Sequence, residues 1–132
     1  MKKTILRLSL LLAFALPLIS AGKADDGIMT KSGGAYVVNT TTLGKKVSGY
    51  VGATPLKVYI EKNKITRVEL LSNQETPKYN AMIKRKMLPQ YVGKSVKEIS
   101  KSNVDGVTGA TFTSNAVKEN VRLAVEYYKK AK

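Results

Sequence analysis

The residues best suited to chemistry lie together in Asp105-Gly106-Val107-Thr108-Gly109-Ala110-Thr111-Phe112-Thr113-Ser114, a Gly- and Thr-containing turn that runs into an amphipathic stretch. Gly109 allows the backbone a positive φ and lets another group come close. Thr113 or Ser114 supplies a helix N-cap, and a helix N-terminus offers free N–H groups and the positive end of a dipole to an anion. Hydroxyls at Thr108 and Thr111 suit such a loop to a phosphate. Neither G-x-x-x-x-G-K-[ST] nor G-x-G-x-x-G occurs, so this is not a Walker loop or a dinucleotide fingerprint.

Composition narrows the chemistry further. The 132 residues contain no His, no Cys and no Trp. That excludes an imidazole base, a thiolate nucleophile, a Cys/His zinc site, c-type haem attachment and any disulfide. Demanding chemistry must then come from a cofactor or from carboxylates alone. Formal net charge is +14, and it is still +11 without residues 1–21, which carry Lys2, Lys3 and Arg7 and no acidic residue. A basic surface attracts nucleic acid, anionic lipid or an acidic partner protein.

The loop residues resemble a known signature. D-x-x-[ST]-G-A-T is the flavinylation motif of the FMN-binding domain family, which includes the periplasmic flavin subunits of the sodium-pumping quinone reductase and of related electron-transport complexes. Asp105, Thr108, Gly109, Ala110 and Thr111 fill the pattern. The resemblance implies a covalent FMN joined through its phosphate to Thr111. It implies a separate flavin transferase, using FAD and magnesium, to make the bond. It also implies an α+β fold, a small antiparallel sheet with helices packed on one side. In that family an E-T-P segment lies near the flavin ring, which makes Glu75 and Thr76 further cofactor-binding candidates. For Glu75 the competing reading is a surface carboxylate or a first-turn helix charge. Gly49-Tyr50-x-Gly52 resembles the family's first core strand, and Tyr91-Val92-Gly93-Lys94 resembles a short motif ahead of its second helix.

The rest of the chain supplies the elements that must position this loop. Met1–Ala21 reads as a secretory signal peptide: a charged start, an apolar run from Leu8 to Ile19, and small residues at the end. Cleavage is expected after Ala21, with Gly22 and Ala24 as alternatives and an uncleaved anchor as the rival reading. Export to the periplasm or cell exterior, with or without membrane association, makes nucleic acid an improbable partner. Residues 22–34 read as a flexible lead-in and 35–132 as the domain. Ala35–Thr42 has the composition of a strand, one suited to a sheet edge. Leu56, Val58 and Ile60 alternate with polar neighbours, Lys62-Asn63-Lys64 is of hairpin length, and Ile65, Val68 and Leu70 form a return strand with an irregularity near Thr66-Arg67. This hairpin is expected in the middle of the sheet. Met82, Ile83 and Met87 predict a helix over 79–88, closed by Pro89. Ser95 and Glu98 have the spacing of a capping box. Val117, Val121, Ala124, Val125 and Tyr128 form one apolar stripe on a final helix.

The functional expectation is an exported electron carrier with FMN on Thr111, rather than a self-contained enzyme. Its redox partner would be a protein or a quinone-linked membrane complex. Two alternatives stay open: a module binding free flavin or another phosphate ligand, and a non-redox basic envelope domain whose T-G-A-T turn is only structural.

Overall fold

The computed structural model describes residues 27–99 and 104–132; the signal-peptide reading of residues 1–21 lies outside the described residues. Four strands form an antiparallel sheet in chain order: β1 (Met29–Ser32), β2 (Ala35–Asn39), β3 (Leu56–Glu61) and β4 (Lys64–Leu70). Lys62 and Asn63, which join β3 to β4, both have positive φ, 54° and 64°. That backbone matches the right-handed twist of a two-residue hairpin. Pairing runs Val58↔Val68 and Leu56↔Leu70, then shifts between Tyr59 and Ile60 so that Ile60 faces Ile65. Thr66 is thereby the extra residue of a bulge, at the irregularity expected from the sequence.

Strand β1 forms where a flexible lead-in was expected. Its backbone pairs with β2 from Met29↔Val38 to Ser32↔Ala35, and the Met29 side chain enters the core. One buried residue beside Thr30, Lys31 and Ser32 leaves no period to read; the pairing comes from the neighbouring strand. As a result β2 is an interior strand. It is β4 that lies at an end of the sheet, and the 91–95 segment covers its first half. The Ile65 N–H donates to the Lys94 carbonyl at 2.9 Å, and the Gly93 N–H donates to the Ile65 carbonyl at 2.8 Å. A covered edge does not invite further strand pairing. The same contacts explain why residues 95–98 form a bridge and a turn rather than the start of the expected capped helix. Ser95 bridges to Lys64, and the Val96 N–H donates to the Asn63 carbonyl.

Met29, Val38, Leu56, Val58, Ile60, Ile65, Val68 and Leu70 are buried on one face of the sheet. Two helical segments cover that face. The first begins as α1 (Pro77–Met82), widens to a π turn over Ile83–Met87 and tightens to a 3₁₀ turn over Leu88–Tyr91. The changes of pitch bury Ile83, Met87, Leu88 and Tyr91 in the same core. The second, α2 (Thr111–Ala131), buries Val117, Val121, Ala124, Val125 and Tyr128, the stripe read from the sequence. The chain is therefore a small α+β fold, an antiparallel sheet with its helices on one side.

Candidate functional site

Gly109 has φ +89°, a conformation that an L side chain strains, and it turns the chain into α2. Ala110 is the N-cap residue, and no side chain caps the helix. The expected caps, Thr113 and Ser114, instead lie inside the first turn and are buried. Ser114 Oγ accepts the Val107 N–H at 2.9 Å, drawing the 105–110 loop back onto the helix. Thr113 Oγ1 donates to Glu75 Oε1 at 2.5 Å. Thr111 and Phe112, in the same turn, face outward.

Glu75 is the unexpected centre of this region. It is only 4% exposed, so it is neither a surface carboxylate nor a solvated helix charge. Besides Thr113, three consecutive backbone N–H groups donate to it: Tyr50 at 2.7 Å to Oε1, and Val51 at 2.6 Å and Gly52 at 3.1 Å to Oε2. These amides converge because residues 49–52 form a tight turn, in which the Gly49 N–H donates to the Gly52 carbonyl at 2.7 Å. The core strand expected over Gly49–Gly52 is therefore absent, replaced by a turn between the bridged residues Ser48 and Ala53. Gly49 is required by packing, since a Cβ there would collide with Glu75 Oε1 and Thr54 Oγ1. Burial by itself would raise the Glu75 carboxyl. The hydrogen bonds from Thr113, Val51, Tyr50 and Gly52 outweigh it and hold the group below the ordinary carboxylate value. A buried charge with no ion pair among the described residues is thus stabilised by four donors.

Above this latch lies a cleft of about 330 Å³ lined by Tyr50, Thr76, Tyr79, Gly109, Ala110, Thr111, Phe112 and Thr113. It brings together four of the expected site residues: Thr76, Gly109, Ala110 and Thr111. Asp105 and Thr108 line a second cleft of about 270 Å³ on the other side of the loop, with Lys86 and Gln90. The Gln90 side-chain amide clasps the Asp105 backbone, donating to its carbonyl and accepting its N–H, both at 3.0 Å. Glu75 lines neither cleft.

Sequence reasoning missed Tyr50, Tyr79, Phe112 and Thr113 as site residues. Tyr50 and Phe112 are 67% and 64% exposed, and their ring centroids lie 6.1 Å apart at 31°. Two large exposed aromatics beside a glycine-rich turn were the available signal, but 62 residues separate them in sequence. Chemically, the cleft offers an accessible hydroxyl at an uncapped helix N-terminus, suited to a phosphate, next to an aromatic surface suited to a planar ring.

Comparison with known proteins agrees with that chemistry. A component of the Na(+)-translocating ferredoxin:NAD(+) oxidoreductase complex of Acetobacterium woodii is 29% identical over 109 residues, covering 74% of this chain and 52% of the relative. The chain thus spans about half the length of the curated relative it matches. No solved structure gives a significant match. The family model for the FMN-binding domain matches residues 49–126, from the turn that grips Glu75 through most of α2. The chain belongs to the FMN-binding domain family.

Proposed function

We propose that this protein is an exported electron-transfer module that carries FMN in phosphoester linkage to Thr111. One observation carries the reading: Thr111 is exposed as the first residue of a helix that no side chain caps, inside a cleft rimmed by Tyr50, Tyr79 and Phe112. The residues present fit the cofactor. Gly109, Ala110 and the first turn of α2 would face the phosphate, and the aromatic rim would face the ring. FMN, when bound, supplies the electron exchange that these side chains cannot perform.

Thr111 is the target of a modification rather than a nucleophile that this chain activates. The sequence has no His or Cys, the Glu75 carboxylate is held by four donors, and Asp105 lies in the neighbouring cleft. A separate flavin transferase would join FMN from FAD to the Thr111 hydroxyl, with AMP leaving and magnesium assisting. Covalent attachment suits an exported carrier, because a tether replaces a scarce free cofactor with an effective concentration of about millimolar or more. Similarity to a component of an ion-translocating redox complex supports a partner of that kind. Among the described residues no helix is long and apolar enough to cross a membrane.

Co-expression with a flavin transferase tests the proposal. The intact mass rises by one FMN residue in the wild type and does not rise in Thr111→Ala. Covalently labelled Thr111→Ala protein would refute the assignment. Flavin fluorescence that vanishes from a denaturing gel would favour non-covalent binding instead.

A further inference from the structure

Tyr50 has no obvious reason to be where it is. It sits in a polar turn, two-thirds exposed, and nothing in the hydrophobic core depends on its ring. The backbone beneath the ring is nonetheless held by three hydrogen bonds. Its own N–H and the next two are fixed by one carboxylate, and that carboxylate is fixed by Thr113 in the first turn of α2. The chain Tyr50–Glu75–Thr113 ties the turn to a helix that begins at Thr111, across sequence separations of 25 and 38 residues. It sets the backbone of Tyr50 beside the helix turn that carries Phe112, the neighbour of Thr111, and the two ring centroids lie 6.1 Å apart.

The geometry of the ring pair restricts how it can be used. A planar ring inserted between two others needs about 7 Å, twice a carbon–carbon contact of roughly 3.5 Å. The observed 6.1 Å is too short for that, so the pair as it stands leaves no slot for a third ring between Tyr50 and Phe112. Both rings border the same cleft as Thr111.

Resting on the reading of Thr111 as the FMN attachment point, we propose that Tyr50 and Phe112 form the wall on which the isoalloxazine stacks, and that Glu75 is a positioning residue that holds Tyr50 in it. Glu75 acts from below, through backbone amides, and does not touch the ring. Tethering by phosphate alone leaves the ring free to swing on its ribityl chain; an aromatic wall fixed relative to Thr111 restricts it to one orientation for electron exchange.

Two readouts test this. In unmodified protein, amide hydrogen exchange at Tyr50, Val51 and Gly52 accelerates about tenfold or more in Glu75→Gln. In protein whose mass confirms one FMN on Thr111, the visible circular dichroism of the flavin bands, which reports an ordered ring, falls in Tyr50→Ala and in Glu75→Gln and is retained in Tyr50→Phe. Should Glu75→Gln fail to fold, Thr113→Val removes one donor and leaves three, and shifts both readouts less in the same direction. Flavinylated Glu75→Gln or Tyr50→Ala with wild-type dichroism overturns the proposal. So does a folded Glu75→Gln that accepts no FMN, because the carboxylate would then serve attachment. Wild-type protein that stays unmodified beside an active transferase removes the attachment reading instead, and amide exchange still decides whether Glu75 fixes the turn.

Discussion

Along α2, Val117, Val121, Ala124, Val125 and Tyr128 are buried at three- and four-residue steps against the sheet, whereas in the first turn Thr111 and Phe112 face solvent and the hydroxyl residues Thr113 and Ser114 are buried. Apart from the buried Asn120, whose Nδ2 donates to the Thr54 carbonyl at 2.9 Å, the later turns follow the elementary rule for a helix on a sheet: the apolar side faces inward and an apolar residue of similar volume serves. The first turn inverts it. Its polar side chains face inward because distant partners wait there, Glu75 for Thr113 and the Val107 amide for Ser114. Its large aromatic faces outward, over the cleft. Packing governs one end of the helix and hydrogen bonding the other, so substitutions at the two ends should show up in different measurements.

Thr111→Ala is the sharpest separation of the two. Its side chain is exposed, so thermal stability stays within about 0.5 kcal/mol of wild type, while covalent flavin is lost completely. Intact mass and a thermal melt on one sample check both halves. A large fall in stability would mean that Thr111 belongs to the packing end after all.

Glu75→Gln has the next largest effect. Gln can still accept through one oxygen, but its NH₂ group faces backbone donors, leaving part-buried amides of the 50–52 turn unpaired. The expected loss is about 3 kcal/mol, a large part of the stability of a domain this size. Acid titration sharpens it. The folded-state carboxyl lies below its ordinary value, so the unfolded chain binds the proton more tightly. The contribution of Glu75 is complete above about pH 4.3, the unfolded value, and is lost as pH falls through the depressed folded value. Urea midpoints measured across that window should fall more steeply for wild type than for Glu75→Gln, and parallel curves would contradict the assigned role.

Val121→Ala probes the other end. Val121 is fully buried in the stripe, and removing two methyl groups costs about 2 kcal/mol in transfer and cavity terms. Flavin incorporation and the visible dichroism of the bound flavin should be unchanged under conditions where the variant is folded. Equal disturbance of the flavin by Val121→Ala and Glu75→Gln would erase the distinction between the two ends.

Legibility of the sequence divides along the same line. The stripe of α2, the Leu56–Leu70 hairpin and the bulge near Thr66 were all readable because periodicity is local and apolar residues have one place to go. The T-G-A-T loop was readable because its residues are contiguous. What was hidden depends on partners distant in sequence. No local pattern announces that Glu75 will receive the amides of Tyr50, Val51 and Gly52, so the Gly49–Gly52 turn was expected as a strand and Glu75 as an open question. Likewise β1 was hidden because a four-residue strand with one buried side chain owes its existence to β2. Ser and Thr at a helix start are ordinarily caps, and only the tertiary contacts show that Thr113 and Ser114 serve other elements.

Ser114→Ala has the smallest expected effect and tests how closely the loop depends on the helix. The Oγ of Ser114 is the partner of the Val107 N–H, a buried donor, and the Ser114 side chain packs where a Cβ on Gly106 would stand. Losing the acceptor costs about 1 kcal/mol if the loop relaxes enough to hydrate the amide. Such relaxation would move Thr108, Gly109 and Ala110 relative to the first turn of α2 while leaving Thr111 and the Glu75 latch intact. The rate of flavin attachment should therefore fall, whereas the visible dichroism of the molecules that do acquire FMN should match wild type, since the wall formed by Tyr50 and Phe112 is untouched. A time course of modification by mass, set beside the dichroism of the modified fraction, separates these two effects. If instead the rate is unaffected while the dichroism falls, Ser114 acts on the orientation of the ring, and loop and wall would have to be treated as one unit.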